Sequence, residues 1–539
     1  MSQYTVRDSP PAGATSSQRF SSAMTRFRGP LAGRYPVVAA MVVFALVPYL
    51  VLAAALQSIT PTIASQLHMS LQTVELTSGL ANAGYAVGTV LAFQLAQHLH
   101  QRRMVLVYAS LLVIGSVLAA AATNPGMYIA GHILQGLCTS LLLIGAVPPL
   151  VLDYPVAKLR STVVILNVCI FGAVALGPLI GGVQASFNGW RPLFWILAAI
   201  AVAALALSVL TFRDTPPANP SSPKDAITVG LAAGGSVAAF YGASELATHS
   251  FLDPATLGPL LGGLALIVIL FVRQYRSKRP LLCVRILNST FPVAGVVAAL
   301  CAAAAAVSAI ALSETLLQRQ FPPLHAGLLY FPEFGGAVVA AVVFAIVFRS
   351  HLIHYFALSG MVLLGAGIVV LASAIPPTSM VTLVGSGLIG VGVGASVVPA
   401  LFIVGFSLRN NLLQGVFSII ELMRAVAAFM IGPILLHFAI SATGFANSVT
   451  STVLWICFGI TVGGALFAVW LYWLGHVRPP GPAIEHWFGG GGPAWESPPL
   501  PRFPRILGRF GRRTSYGDAE VRETPAPSTD AASSPTDMG

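Results

Sequence analysis

The sequence predicts an all-α, polytopic membrane protein with fourteen transmembrane helices. Of its 539 residues, 56% are hydrophobic and only 8% are charged, whereas about 25% of the residues in a soluble domain are charged. Fourteen apolar runs approach or exceed the roughly 20 residues that a helix needs to cross a bilayer. They lie at about residues 36–57, 73–96, 104–122, 127–152, 161–183, 193–212, 226–246, 256–272, 291–314, 326–348, 355–374, 381–405, 413–440 and 451–474.

The basic residues test this count of helices. With fourteen spans and the N-terminus inside, 25 of the 28 Lys and Arg residues fall in inner segments, only Arg191 and Arg319 fall outside, and Arg424 lies within a span. Cytoplasmic loops carry such an excess, and one missed helix would invert every later loop. The net charge of +11 therefore indicates orientation in a lipid bilayer rather than a nucleic-acid partner. We predict a multi-pass protein of the cell (plasma or inner) membrane with both termini in the cytoplasm.

The spacing of the spans divides the chain into five parts. Two groups of six closely spaced helices flank a separate pair, which is followed by the most basic loop, and the polar ends of the chain are predicted to be disordered cytoplasmic tails. The predicted parts are an N-tail (1–34), an N-terminal six-helix bundle (35–213), an inserted helix pair with its basic loop (214–285), a C-terminal six-helix bundle (286–474) and a C-tail (475–539).

The sequence offers no motif for an enzyme, a metal or a cofactor. Its five cysteines stand singly in apolar segments, without the spacing of a metal site or a disulfide framework. A Walker loop, an HExxH motif and a nucleophile elbow are all missing from it, which gives no support to an ATP-driven pump or an intramembrane hydrolase. Gly385-x-Gly387-x-x-Gly390 follows no strand, so we interpret these glycines as helix packing. We predict neither cofactor, metal nor enzymatic activity.

The fifth span carries the most informative stretch, Gly172-Ala-Val-Ala-Leu-Gly177-Pro178-Leu-Ile-Gly181-Gly182. Glycines spaced four or five apart lie near one face of a helix and let another backbone approach, and Pro178 removes a backbone donor and bends the helix. Taken alone, Gly177-x-x-x-Gly181 indicates a packing seam. The whole string resembles the antiporter motif of the major facilitator superfamily, G-x(n)-G-P-x-x-G-G. The following Trp190-Arg191-Pro-Leu-Phe194 resembles the loop that opens the sixth helix in its 14-helix drug:proton antiporters.

Further matches extend this resemblance over about residues 36–474. They are Ile59-Thr-Pro61-Thr-Ile-Ala, Gln135-Gly136, Arg285-Ile-Leu-Asn-Ser-Thr-Phe291 and Leu317-Gln318-Arg319-Gln320 through His325-Ala326-Gly327. The resemblance implies the major facilitator fold and a secondary transporter that exports amphipathic or hydrophobic small molecules, coupled to protons by alternating access. An uncoupled facilitator or lipid or metabolite carrier on the same fold, and a non-transporting membrane scaffold, remain alternatives.

The N-terminal bundle departs from the family at its charged positions. Leu52 stands where relatives carry an acid in the first helix, Gln97 replaces the acid of the loop between the second and third helices, and His132 replaces the Arg linked to proton coupling. Histidine titrates near neutral pH, so His132 is our leading candidate for coupling, although a hydrogen-bonded core histidine is the alternative. Gln57, Gln135 and Asn167 are candidates for the substrate cavity.

Acids inside the later spans are the other candidates, since an ionisable group in the membrane usually faces a cavity or a partner. Glu421 and Arg424 are separated by three residues, which places them on one face of the thirteenth helix. A structural ion pair and a gating role both fit that spacing. Glu314 and Glu333, in the ninth and tenth spans, are reserve proton carriers.

Overall fold

The fold is built from fourteen helices that are long and apolar enough to cross a membrane, counted over the residues that the structure describes. The computed structural model describes residues 29–211, 215–217, 219–246, 248–441, 447–474, 481–490 and 492–500. The predicted fold class is confirmed. The helices are α1 (Tyr35–Gln66), α2 (Leu71–His98), α3 (Gln101–Ala120), α4 (Pro125–Leu152), α5 (Val156–Ser186), α6 (Arg191–Thr211), α7 (Ala226–Glu245), α8 (Pro254–Arg276), α9 (Thr290–Gln318), α10 (Pro323–Val347), α11 (Leu352–Ala372), α12 (Ser379–Phe406), α13 (Leu413–Ser441) and α14 (Asn447–Leu474).

Short polar side chains fix where several of these helices begin. A helix leaves its first backbone N–H groups without partners inside the helix, and a side-chain oxygen just before it accepts one of them. Ser70 accepts from the amide of Thr73 at the start of α2, and Asn124 accepts from that of Met127 at the start of α4. The polar residue just before each of these helices thus supplies a hydrogen-bond acceptor that the first turn lacks.

The helices form two bundles that meet along two helix pairs. The N-terminal bundle contains α1–α6 and the C-terminal bundle contains α9–α14, while α7 and α8 pack on each other and α7 packs on α2. Between the bundles, α2 packs against α13 and α5 packs against α10. The second helix of each bundle, α2 or α10, thus packs against the fifth helix of the other, α13 or α5, so the two contacts are related by the internal symmetry of the chain.

We name the two ends of the structure by charge. The basic face is the end at which α1 begins and α14 ends, and it carries the predicted inner segments with most of the Lys and Arg residues. The opposite face is the end at which α1 stops at Gln66 and α2 starts at Leu71.

Glycines allow the helices to approach closely, as the sequence predicts for α12. A Cβ on Gly390 would collide with the backbone oxygen of Glu333 in α10, and one on Gly385 would lie 2.7 Å from Leu371 in α11. Both positions are crossings of packed helices, where a missing side chain lets the backbones meet. The glycine run of α12 thus serves helix packing.

The fifth span is not one continuous α-helix. It contains a π-helical turn at Val168–Gly172 and is interrupted at Leu176, after which the final segment runs from Gly177 to Ser186. Pro178 occupies the first turn of that segment, where its missing amide hydrogen costs no helical bond. The bend expected at Pro178 is therefore a break that begins two residues earlier.

The two predicted tails need correction where the structure describes them. Residues 29–34 form a turn whose Leu31 amide donates to the carbonyl of Leu210 at 3.0 Å. Most of 481–500 is ordered and contains a short helix, α15 (Ile484–Phe488). Its composition, rich in Pro and Gly, predicted disorder, but two tryptophans supply enough apolar surface to fold it onto the helices. The remaining tail residues, 1–28, 475–480 and 501–539, lie outside the described part of the chain.

Candidate functional site

A buried ion pair lies at the α2–α13 contact between the bundles. Arg424 Nη2 is 2.6 Å from Glu421 Oε2, and the two residues are 5% and 0% exposed. Tyr85 of α2 donates to Glu421 Oε2 at 3.2 Å and accepts from Arg424 Nη2 at 3.2 Å. The structure therefore brings the predicted pair together and adds Tyr85, which sequence reasoning missed. A tyrosine in the middle of a span was the available signal, because its hydroxyl needs a partner there.

The same helix contact continues toward the basic face. Ser418 of α13 donates to the carbonyl of Thr89 in α2 at 2.7 Å. One turn further, the ring of Phe93 packs on Gly415, where any Cβ would lie 2.8 Å from the ring. Gln414 then donates to the carbonyl of Ile144 in α4 at 3.1 Å. These contacts close the two bundles against each other at the basic face.

A second polar cluster joins α1 to α9 near the opposite face. Ser58 donates to Glu314 Oε1 at 2.8 Å, and Gln318 donates to the same oxygen at 2.8 Å. Gln57 donates to the carbonyl of Ala311 at 2.9 Å and also to the hydroxyl of Thr315. The predicted Gln57 and Glu314 therefore each bond across the bundle interface, Gln57 to Ala311 and Thr315 and Glu314 to Ser58.

Glu333 adds a second carboxyl group to this region. It lies in α10, is 8% exposed and is close enough to Glu314 for the two charges to interact. Its Oε2 has no hydrogen-bond partner among the described residues. A buried polar atom in this condition usually marks a functional site or an unseen water or ion. Two predicted reserve carriers thus lie together, one of them bonded to the other bundle.

The glycine-rich stretch of α5 contacts both bundles. On the side of α1, a Cβ on Gly177 would lie within 3.0 Å of three atoms of Ala54, and one on Gly181 would lie 2.6 Å from the carbonyl oxygen of Ala55. On the side of α10, a Cβ on Gly182 would collide with the carbonyl oxygen of Pro323. Gly172 faces the ring of Phe334, also in α10. The stretch is therefore a close-packed seam at the bundle interface.

His132 and Gln135 lie inside the N-terminal bundle. His132 is 1% exposed, and its Nδ1 is 3.2 Å from Gln135 Oε1, while Gln135 donates to Ser116 at 3.1 Å. The imidazole stacks on Tyr128 at 5.8 Å and packs against Tyr49 at 5.9 Å between ring centroids. All of these partners belong to the N-terminal bundle, so His132 is a hydrogen-bonded core histidine in this structure. Its predicted role in coupling stays a prediction.

Asn167 makes a further contact between the bundles. Its side-chain amide donates to the carbonyl of Gly394 in α12 at 2.9 Å, immediately before the π-helical turn of α5. Its Oδ1 has no partner in the described part of the chain. Asn167 is thus a buried side chain with one polar atom unpaired among the described residues, and its role in a substrate cavity stays a prediction. Gln135, in contrast, uses both polar atoms inside its own bundle.

The loop in which Gln97 replaces the expected acid is held by the segment that leads into α7. The carbonyl of Gln97 accepts from the amide of Asn219 at 3.2 Å, and His98 Nε2 lies 2.8 Å from the carbonyl oxygen of Ser222. The nearby carboxylate belongs to Asp225, which is 2.9 Å from Arg273 of α8. Burial raises the pKa of Asp225, but hydrogen bonds from Arg273, Thr228 and Gln274 outweigh burial and lower it to about 2.

The residues described contain no cluster of three or more His, Cys, Asp or Glu side chains that could hold a metal ion. The site is instead a set of hydrogen bonds and close contacts between two bundles, closed at both faces. When two bundles rock against each other, the contacts at one face can break while those at the other face hold. Many secondary transporters expose a central site alternately in this way.

Comparison with known proteins identifies this architecture. The family model of the Major Facilitator Superfamily matches residues 37–368. The chain belongs to the Major Facilitator Superfamily. Members of this superfamily are membrane transporters, and the fourteen candidate spans among the described residues agree with that membership.

Three relatives illustrate its position in the superfamily. An "Uncharacterized MFS-type transporter YubD" of Bacillus subtilis is 25% identical over 58% of this chain and 62% of its own length. The "Tetracenomycin C resistance and export protein" of Streptomyces glaucescens is 25% identical over 53% of this chain and 54% of its own. "Multidrug resistance protein MdtL" of Escherichia coli O139:H28 is 28% identical over 30% and 41%. The chain therefore spans between about two fifths and three fifths of the length of these relatives.

Proposed function

We propose that this transporter exports amphipathic or hydrophobic small molecules by alternating access and that protons drive the export. Two relatives carry names that describe drug resistance or export. The cross-bundle contacts support the mechanism, because they form at both faces and each set can open while the other holds. We further propose that the basic face is cytoplasmic and that the protein lies in the plasma membrane, as the distribution of Lys and Arg favours.

The observation that carries the coupling is the hydrogen bonding of Glu314. Its carboxylate oxygen accepts from Ser58 of the other bundle and from Gln318 of its own helix. Hydrogen bonds to a charged acceptor are about twice as strong as neutral ones. A proton on Glu314 would therefore weaken the α1–α9 contact and favour opening of the opposite face. Glu333, whose own Oε2 has no hydrogen-bond partner among the described residues, is the group that we propose to receive that proton or pass it on.

An uncoupled facilitator is the second candidate function. Leu52, at the place of the acid in relatives, is completely buried, and Gln97 stands at the place of the second acid. Neither side chain can carry a proton. If the remaining acids only stabilise the fold, transport would follow the substrate gradient.

Transport by the purified protein in liposomes distinguishes the two candidates. A growth-inhibition panel on cells with and without the protein first supplies a transported compound. We expect its transport to require an imposed proton gradient, and Glu314→Gln or Glu333→Gln to abolish that requirement while binding persists. Glu75→Gln, an exposed carboxyl group on α2, is the matched control and should retain coupling.

Two results would change this assignment. Equal transport by the unmodified protein with and without the gradient would establish the facilitator. Loss of pH dependence in His132→Asn, with coupling intact in Glu314→Gln, would identify His132 of the N-terminal bundle as the proton-binding group.

A further inference from the structure

Residues 481–490 and 492–500, which we call the C-terminal strap, cross the basic face. Trp487 and Trp495 of the strap are only 1% and 4% exposed. Exposed polar segments rarely bury two large aromatic side chains, since that requires a fitted apolar surface beneath them. The strap is therefore a docked element of the fold.

The strap is fastened to the C-terminal bundle at the end of α12. Trp487 Nε1 donates to the carbonyl of Leu408 at 2.7 Å, and Trp495 Nε1 donates to Ser407 Oγ at 2.7 Å. Asn410 Nδ2 donates to the carbonyl of Trp487 at 3.1 Å. Both indole N–H groups are thus satisfied by the loop that joins α12 to α13.

A second attachment lies at the start of α9. The amide of Thr290 donates to the carbonyl of Pro498 at 2.9 Å, and that of Phe291 donates to Ser497 Oγ at 3.0 Å. These amides begin a helix and have no partner within it. The strap therefore completes α9 and connects it with the α12–α13 loop.

The other side of the strap reaches the N-terminal bundle. Its short helix α15 packs against the first segment of α5, residues Val156–Asn167. Beside it, Arg349 Nη2 at the end of α10 donates to the carbonyl of Val156 at 3.2 Å. The strap thus spans the line along which the two bundles meet at the basic face.

We propose that the C-terminal strap holds the basic face closed and must leave α5 before that face can open. Its links to the C-terminal bundle include several hydrogen bonds, whereas its link to α5 is made by the packing of one short helix. When the bundles rock apart, the strap will therefore separate from α5 and remain on α12, α13 and α9. This device rests on the alternating access of the proposed function but on neither the substrate nor the proton.

Hydrogen exchange of the full-length protein in lipid nanodiscs tests the proposal. The probes are the peptides that contain Thr89 of α2 and Ser418 of α13, which are hydrogen-bonded to each other at the basic-face half of the interface. We expect Trp487→Ala to raise their exchange about tenfold, the size of effect that losing a few contacts has on a local opening equilibrium. Trp473→Ala, at a residue that is 70% exposed, is the matched control and should change neither peptide.

Faster exchange of the strap alone, with both probe peptides unchanged, would overturn the proposal and make the strap a cover for the C-terminal bundle. Gel filtration checks that Trp487→Ala folds. If it does not, Asn410→Ala removes a single hydrogen bond to the strap and must still raise exchange in the same two peptides. No change in them would equally contradict the proposal.

Discussion

Tyr85 of α2 donates a hydrogen bond to Glu421 of α13 across the bundle interface, over a distance of 3.2 Å. The same hydroxyl accepts from Arg424. One neutral side chain of the N-terminal bundle thus contacts both members of an ion pair in the C-terminal bundle. Because the three groups are buried, the contact is protected from solvent screening and ties the state of the pair to the position of the bundles.

We expect single substitutions in the ion pair to be more harmful than removal of the whole pair. Glu421→Ala or Arg424→Ala leaves one buried charge without its partner, which typically costs about 3–5 kcal/mol. Replacing both residues with a neutral pair leaves no such charge. Thermal unfolding of the three variants measures the difference. Damage in the double variant that equals the sum of the single ones would show that the two side chains act separately.

Tyr85→Phe isolates the contact between bundles from the ion pair itself. The substitution keeps the ring, which stacks on Tyr49 at 6.0 Å, and removes only the hydroxyl. We expect a loss of stability of about 1.5–3 kcal/mol, the usual range for hydrogen bonds to charged groups, together with a lower transport rate. Tyr108→Phe is the control, because that hydroxyl has no partner among the described residues. Identical transport by both variants would mean that Tyr85 only stabilises the fold.

Gly177→Leu should abolish export while leaving membrane levels near normal. Insertion follows the hydrophobicity of the span, but a side chain at Gly177 would force α5 away from Ala54 of α1. The matched control is Gly262→Leu in α8, where a Cβ would meet nothing within 4 Å. Western blotting and export assays of the two variants provide the comparison. If export survives Gly177→Leu, the glycine-rich stretch of α5 serves only helix packing.

Asp225 gives the protein a stabilising interaction that depends on pH. Its pKa is lowered to about 2 in the folded state, against about 3.9 in an unfolded chain, so the folded state favours the charged form. This stabilisation is complete above pH of about 4 and disappears as the pH falls toward 2. We expect Asp225→Asn to lower the melting temperature at pH 7, and the difference from the unmodified protein to shrink below pH of about 4.

Asp253→Asn is the control for that experiment. Asp253 begins α8 as Asp225 begins α7, and asparagine caps a helix about as well as aspartate. The control should therefore keep its melting temperature. A difference for Asp225→Asn that persists at the lowest pH would contradict the role of its charge.

Reporter fusions at the two ends of the chain test the predicted orientation. The distribution of Lys and Arg predicts that both termini lie in the cytoplasm, and we expect a cytoplasmic signal from each fusion. An external signal from either end would refute the topology.

Much of the fold could be read from the sequence, for a physical reason. Lipid offers no hydrogen bonds to a backbone, so every span must be a long apolar helix, and such helices are visible as hydrophobic runs. The spacing of Glu421 and Arg424 likewise indicated a pair before their distance of 2.6 Å was known, because neighbours on one helix face are fixed by local geometry.

Only the tertiary structure decided what these groups meet. Tyr85 and Arg424 are 339 positions apart, and Ser58 and Gln318 are 260 apart, and no local pattern reports contacts at that separation. The structure also placed His132 in the core of one bundle and Glu314 between the two, although both read as isolated ionisable residues in apolar spans. The average composition of the tail, rich in Pro and Gly, predicted disorder although the tail contains Trp487 and Trp495. Their burial depends on the surface formed by α9, α12 and the following loop, which exists only after the helices have packed.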